Sequence, residues 1–151
     1  MVDSEVSMIR IIAVGKLKNR DLASLADDYR QRLRHFTQLD VLELRDQGPP
    51  REARQMLDQL GRSGTSTHVV ALDERGRDLT SQDLARALGA HGSICFLVGG
   101  ADGLTDTVRE RADLVLSLSR LTFTHEMARV VLLEQIYRGF TILRNLPYHR
   151  S

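Results

Sequence analysis

The segment SLSRLTFTHEMARV, residues 117–130, joins a strand-like run of Leu and Ser to the start of a helix with almost no linker. Connections between strands and helices are usually polar and contain Gly, Pro, Asn or Asp, because these residues make turns. None of the four occurs in this segment, which places His125 and Arg129 four residues apart at the helix start. We therefore expect a connection that is ordered by other means and that holds a ligand.

The composition of the chain is that of an ordinary globular protein. Its 151 residues are 42% hydrophobic and 27% charged, which suffices for one domain with a buried core. No apolar run approaches the ~20 residues that cross a membrane, and the N terminus does not resemble a signal peptide. The single cysteine, Cys95, excludes an intramolecular disulfide and argues against a thiolate metal cluster. We expect a cytoplasmic protein with no membrane or metal partner, with a flexible extension at residues 1–7 and one domain at residues 8–151.

The charge pattern points weakly to an anionic partner. A net charge of +1 excludes a strongly basic nucleic-acid-binding protein. All but two of the 21 basic residues are Arg, which suits contacts to phosphates and bases, although a GC-rich genome explains the same bias. From Ser119 onward there are five Arg and two Glu, a local excess of three positive charges.

Strand-like and helix-like patterns alternate along the chain. A turn at residues 74–76 is predicted to close the third strand. Five strands alternating with five helices predict an α/β fold with a mostly parallel sheet and helices on both faces. The predicted strands are at residues 8–15, 39–45, 67–73, 93–100 and 112–119, and the helices at about residues 21–36, 49–60, 80–88, 105–112 and 125–144.

A Gly-rich loop, FLVGGADGL at residues 96–104, follows the fourth strand. Ligands bind at the carboxyl ends of parallel strands, so this loop is either a simple turn or part of a site. The segment after the first strand does not contain the dinucleotide-binding fingerprint, and the sequence has no P-loop or nucleophile-elbow motif. His125-Glu126 is followed by Met-Ala-Arg, so the zinc-protease motif fails at its last position. Two unusual loops after neighbouring strands favour a ligand site between them.

The last predicted helix is apolar on all sides. Such a helix must be buried on nearly all sides, and a single sheet covers only one face. The pattern therefore predicts a partner subunit. After this helix in the sequence, Pro147 stiffens a short tail that contains Tyr148, His149 and Arg150. This tail is either directed at a site or is a frayed terminus.

Four segments together resemble the ribosomal RNA large-subunit methyltransferase H family of SPOUT-type enzymes: VALDERG (70–76), FLVGGADGL (96–104), LSLSRLTFTHEMARVVLLEQIYRGF (116–140) and PYHR (147–150). The resemblance extends from about Met8 to the end. It implies a C-terminal trefoil knot, a homodimer and S-adenosylmethionine as the methyl donor. It also implies a methyl group on N3 of a pseudouridine in a hairpin of large-subunit (23S) rRNA on the assembled ribosome.

The resemblance also implies which residues line the donor pocket. The apolar side chains among them suit an adenine ring, although they would equally suit a core, and glycines let the main chain approach a ligand closely. Many relatives have Pro where this chain has Thr124, and we expect the loop geometry to be retained because neighbouring residues can fix it. The implied pocket residues are Leu72, Gly99, Gly100, Ser119, Arg120, Leu121, Thr122, Phe123 and Thr124.

Methyl transfer to N3 requires alignment of donor and base, exclusion of water and removal of the N3 proton. His149 or His125 could act as the base, and Tyr148 could stack on the target ring. The candidate catalytic residues are His149, Tyr148, Arg138 and His125, and the candidate substrate contacts are Arg129 and Arg150. A non-catalytic RNA- or nucleotide-binding module of the same fold is the main alternative. A Rossmann-like oxidoreductase, weakened by the missing fingerprint, is the second.

Overall fold

In the part of the chain that the structure describes, five strands and five helices alternate, as the sequence predicts. The structure, a computed structural model, describes residues 6–64 and 66–150. The strands are β1 (Met8–Val14), β2 (Gln38–Leu44), β3 (His68–Asp78), β4 (Ser93–Val98) and β5 (Leu114–Ser117). The helices are α1 (Arg20–Leu33), α2 (Pro49–Arg62), α3 (Ser81–Ala90), α4 (Asp106–Arg111) and α5 (His125–Leu143).

The strands form one parallel sheet in the order β2-β1-β4-β3-β5. Side chains along each strand alternate between the two faces. Thus Ile9 and Ile11 of β1 belong to one core and Ile12 to the other. Helices α1, α3 and α5 supply the first core, and α2 and α4 supply the second. The predicted α/β sheet with helices on both faces is confirmed.

Helix α5 is buried by its own chain. Its side chains Ile136 and Phe140 are fully buried, and Phe140 stacks on Phe36 with ring centroids 5.3 Å apart. Gly139 faces α3 so closely that a Cβ atom there would lie 2.5 Å from Leu88 Cδ1. The middle of α5 is thus buried by α1, α3 and the sheet of the same chain, while Met127 and Leu143 at its ends remain exposed. The predicted partner subunit stays a prediction.

Strand β3 does not end at the predicted turn. Leu72 and Arg77 both pair with Leu116 of β5, so residues 73–76 are an insertion within a strand that continues to Asp78. Gly76 makes this possible, because a Cβ atom there would lie 2.6 Å from the Val115 carbonyl oxygen. Irregularities of this kind redirect side chains and are common beside functional sites.

The prediction of a flexible extension at residues 1–7 does not agree with the structure at Val6 and Ser7. Val6 is 1% exposed, and its N–H donates to the Leu88 carbonyl, while Ser7 N–H donates to that of Gly92. Residues 1–5 lie outside the described residues. The ordered domain thus includes the two residues before Met8.

Three further observations concern metal, membrane and thiol chemistry. Within residues 6–64 and 66–150, no group of three or more His, Cys, Asp or Glu side chains is placed to hold a metal ion. No helix in the described parts of the chain is long and apolar enough to span a bilayer. Burial raises the pKa of the Cys95 thiol to about 12, so this side chain stays protonated at neutral pH.

Replacing Phe140 with Ala tests the burial of α5 within one chain. We expect Phe140→Ala to lower the free energy of unfolding by roughly 3–5 kcal/mol, because it leaves a cavity in the core. Leu146→Ala, at a residue that is 45% exposed, is the control and should change stability little. Urea denaturation followed by circular dichroism measures both, and equal effects would contradict this account of the core.

Candidate active site

A cavity of about 410 Å³ lies at the carboxyl ends of β3, β4 and β5. Its size is within the range of small-molecule sites, and its position is where parallel sheets bind ligands. Both loops singled out in the sequence contribute to it. The lining residues are Leu72, Asp73, Glu74, Val98, Gly99, Gly100, Ala101, Gly103, Leu116, Leu118, Ser119, Leu121, Thr122, Phe123, Thr124, His125 and Ala128.

Eight of the nine expected pocket residues line this cavity, and His125 joins them. Arg120 is the exception. Its side chain is 90% exposed, and its Nε donates to the Asp78 carboxylate at 3.0 Å, outside the lining of the cavity. The structure thus brings the two predicted loops together but directs Arg120 away from the cavity.

Hydroxyl groups order the connection between β5 and α5 in place of Gly or Pro. Ser117 Oγ donates to the Ser119 carbonyl at 2.9 Å, and Ser119 Oγ accepts from Leu121 N–H at 2.9 Å. Thr122 Oγ1 donates to Glu74 Oε2 at 3.1 Å and so ties the loop to the insertion in β3. Ser and Thr side chains commonly hold turns in this way. The composition of this connection is explained by these bonds.

Thr124 is the N-cap of α5. Its hydroxyl accepts from Met127 N–H at 3.3 Å, and its backbone has φ −62° and ψ 156°. A proline ring holds φ near −65°, so either Thr or Pro fits this position. The departure from the family pattern therefore leaves the loop geometry intact and adds a capping hydroxyl.

The Gly-rich loop packs tightly on itself. A Cβ atom at Gly99 would lie 2.8 Å from the Gly103 carbonyl carbon, and Gly103 has a positive φ of 77°. A Cβ atom at Gly100 would lie 3.0 Å from Val14 Cγ1. The glycines therefore form a thin wall in which backbone, rather than side chain, faces the cavity.

Two side chains anchor the first turns of α5 to the loop after β1. Glu126 accepts from the N–H groups of Lys18 at 2.9 Å and Asn19 at 3.1 Å. The hydrogen bond from Asn19 N–H is the largest cause that holds the pKa of Glu126 below its usual range. Desolvation opposes this shift, and the hydrogen bond from Lys18 N–H adds to it. Arg129 is 3% exposed, and its guanidinium donates to the Gly15 carbonyl at 2.6 Å and to the Glu43 carboxylate. The interpretation of Arg129 as an RNA contact does not fit this burial, and we assign it a positioning role.

Asp73 and Glu74 line the cavity, whereas the sequence predicted Asp73 as the last residue of the third strand and Glu74 as the first residue of a turn. Asp73 Oδ2 accepts from Arg109 at 2.9 Å, and Oδ1 accepts from Arg75 N–H at 2.9 Å. Burial works to raise the pKa of Asp73, but the hydrogen bonds of Arg75 and the Arg109 charge outweigh it, and the pKa is lowered. The position of Asp73 and Glu74 directly after Leu72 was the signal that the sequence offered. The insertion that directs these two residues toward the cavity was not visible in the sequence.

The expected catalytic residues of the tail form a separate cluster. Tyr148 Oη donates to Glu134 Oε2 at 2.8 Å, and the Arg138 guanidinium lies 4.9 Å from the Tyr148 ring centroid. Burial raises the pKa of Tyr148, reinforced by its hydrogen bonds to Tyr29 and Glu134. Arg138 Nη1 lies 3.1 Å from His149 Nδ1. Because arginine only donates, His149 Nδ1 is the acceptor in this contact.

This tail cluster does not reach the cavity of its own chain. None of Arg138, Tyr148, His149 and Arg150 lines the cavity, whereas Ala128 does. Arg138 follows Ala128 by ten residues of α5, about 15 Å along the helix axis. Arg150 is exposed at the end of the described chain. Within one chain the structure therefore unites His125 with the expected donor pocket and leaves the other candidate catalytic residues apart.

Comparisons of sequence agree with this geometry. The family model described as "Predicted SPOUT methyltransferase" matches residues 8–149. A protein of Synechococcus sp. named ribosomal RNA large subunit methyltransferase H is 46% identical over 95% of this chain and 95% of its own. A protein of the same name from Geobacter metallireducens is 44% identical over 95% and 99%. The fold is thus that of a SPOUT methyltransferase. Within that class, the chain belongs to the ribosomal RNA large subunit methyltransferase H family.

Solved structures support the fold at low sequence identity. The tRNA (m1G37) methyltransferase of Aquifex aeolicus has a TM-score of 0.61 at 13% identity, over 97% of this chain and 77% of that one. A probable methylase family protein of Haemophilus influenzae has a TM-score of 0.60 at 14% identity, over 98% and 72%. These similarities extend over nearly the whole chain and support the fold alone.

Replacing Gly99 with Ala tests the glycine wall. We expect Gly99→Ala to weaken S-adenosylmethionine binding roughly tenfold or more, because its Cβ atom would push the Gly103 backbone into the cavity. Gly61→Ala is the control, since a Cβ atom at that position in α2 meets nothing within 4 Å. Titration calorimetry measures both, with thermal melting to show that each variant is folded. Unchanged affinity in folded Gly99→Ala protein would refute the assignment.

Proposed function

We propose that this chain transfers a methyl group from S-adenosylmethionine to N3 of a pseudouridine in large-subunit (23S) rRNA. The observation that carries the proposal is the cavity, which unites the Gly-rich loop and the segment 119–124 at the carboxyl end of the sheet. Family membership supports the reaction class. We also propose that residues 8–151 carry the C-terminal trefoil knot and that the enzyme works on ribosomes in the cytoplasm.

The residues of the cavity suit a donor with an adenine, a ribose and a charged tail. Leu72, Leu121 and Phe123 offer apolar surface for the ring, and the backbone at Gly99 and Gly100 can approach its polar edge. The donor supplies an electrophilic methyl group on a sulfonium. The chain's own residues therefore have to bind and orient the donor and the base and exclude water.

The N3 proton needs an acceptor at the target. His125 lines the cavity at the start of α5 and is the candidate base within the same chain. His149 remains the other candidate, with Arg138 beside it to stabilise negative charge that develops on the base oxygen. Tyr148 supplies an aromatic ring for stacking, and Arg150 supplies an exposed charge for a phosphate.

A homodimer would bring the two groups of candidate residues together. Leu121 is 76% exposed and Met127 is 39% exposed, so apolar side chains project from the connection and from the first turn of α5. The tail cluster lies about 15 Å along α5 from the cavity of its own chain. Two-fold symmetry allows the tail of one subunit to approach the cavity of its partner. We propose that each active site combines one subunit's cavity with the partner's tail.

Methylation of ribosomes tests the proposed function. We expect the purified protein with S-adenosylmethionine to form N3-methylpseudouridine in 23S rRNA of ribosomes from a strain that lacks this modification. Mass spectrometry of digested rRNA identifies the product, and Gly99→Ala protein at a donor concentration below its dissociation constant is the matched control with reduced transfer. Donor binding without any transfer would instead favour a non-catalytic RNA-binding module.

Mixing two defective variants tests the shared site. Gly99→Ala damages the cavity, and His149→Ala damages the tail, so each homodimer should be nearly inactive. After subunit exchange, mixed dimers hold one intact site, and the mixture should regain about a quarter of wild-type activity. Initial rates on ribosomes measure this recovery. A mixture as inactive as its components would show that each tail serves its own chain, and sedimentation of an active monomer would rule out the dimer.

A further inference from the structure

The cavity carries an unusual balance of charges. Of its lining residues, Asp73 and Glu74 are acidic and His125 is a histidine, and none of those described is Lys or Arg. A binding site for an anion or for a phosphate-rich cofactor would normally contain a cation. The wall of this cavity is instead suited to a ligand with positive charge.

The charge of Asp73 is already balanced within the protein. Its carboxylate is 9% exposed and forms ion pairs with Arg109 at 2.9 Å and with Arg75 at 3.4 Å. Arg109 also donates to the Leu104 carbonyl, so Asp73 joins the start of α4 to the insertion in β3. Asp73 therefore contributes little net field to the cavity.

The charge of Glu74 is not balanced in the same way. Among the described residues, Glu74 takes part in no ion pair, and its Oε2 accepts from the neutral Thr122 hydroxyl at 3.1 Å. The insertion between Leu72 and Arg77 places Glu74 at the cavity, and the close approach of Gly76 to β5 holds that insertion in place. Glu74 is thus a positioned, uncompensated carboxylate in the cavity wall.

We propose that Glu74 makes this cavity select the charged methyl donor over its demethylated product. The proposal rests on the function proposed above, because it requires S-adenosylmethionine to bind in this cavity. The donor and S-adenosylhomocysteine share the adenosine, the ammonium and the carboxylate. They differ by one methyl group and by the positive charge on sulfur. A carboxylate near the sulfur stabilises the donor only and therefore favours release of the product after transfer.

The expected size of the preference follows from simple electrostatics. A unit charge about 4 Å from an opposite charge in largely aqueous surroundings gains close to a factor of five in affinity, and partial burial increases the gain. We expect Glu74 to contribute about fivefold to tenfold to the ratio of product to donor dissociation constants. The contribution should decrease at high ionic strength, because Glu74 is exposed at the cavity mouth.

Glu74→Gln is the test. The amide oxygen of Gln can still accept from Thr122, so the loop contact is kept while the charge is removed. Titration calorimetry should show donor affinity reduced about fivefold to tenfold and S-adenosylhomocysteine affinity nearly unchanged. Sinefungin carries an ammonium where the donor carries the sulfonium. Its affinity should therefore decrease about as much as that of the donor. Asp78→Asn is the matched control, since it removes a carboxylate of the same strand that pairs with Arg120 outside the cavity.

The outcomes separate this inference from the proposed function. If wild-type protein binds neither adenosyl ligand, the proposed function fails and the inference fails with it. If wild-type protein binds both and Glu74→Gln leaves their affinity ratio unchanged, only the inference is overturned. Equal weakening of both ligands also overturns it, because Glu74 would then contact the shared ammonium. A reduced kcat with an unchanged ratio would assign Glu74 to the proton transfer instead.

Discussion

The burial of α5 against the sheet, between α1 and α3, holds the core and the cavity in one fixed arrangement. The middle of the helix fills the core through Ile136 and Phe140. Its first turns also form a wall of the cavity through His125 and Ala128. Core and site therefore share one rigid element. Arg129 strengthens this coupling, since it joins the helix to the Gly15 carbonyl and to Glu43 from a buried position. A buried, multiply bonded arginine is suited to fixing geometry rather than to binding a mobile substrate.

The two carboxylates that line the cavity, those of Asp73 and Glu74, have different roles. Asp73 is held by two arginines and stabilises the junction of β3 and α4. Glu74, its neighbour in sequence, forms no ion pair among the described residues and accepts a hydrogen bond from the Thr122 hydroxyl. The irregular pairing of β3 with β5 makes this possible, because a regular strand would place neighbouring side chains on opposite faces of the sheet. One local distortion thus supplies both a structural ion pair and a carboxylate at the mouth of the cavity.

Much of the site could be predicted because its signals are local. A Gly-rich loop and a connection without Gly, Pro, Asn or Asp follow two strands that are consecutive in the sequence, and loops at the carboxyl ends of parallel strands meet at one edge of the sheet. The motif resemblance then indicated individual residues, and all but Arg120 line the cavity. Arg120 was misplaced because an exposed side chain in a loop can turn either way. Here it turns toward Asp78, a residue 42 positions earlier in the chain. A motif identifies the segment but not the direction of each side chain.

The parallel α/β architecture, the position of the two loops and the family could be predicted from contiguous residues, because the alternation of apolar residues and short motifs are local properties. The neighbours of α5, the length of β3 and the charged residues that face the cavity could not be predicted in this way. Each of these depends on contacts between distant segments, such as Gly139 with Leu88 or Leu72 and Arg77 with Leu116. The apolar surface of α5 requires burial in any fold, but its partners are chosen by packing, and here that packing is provided by the same chain.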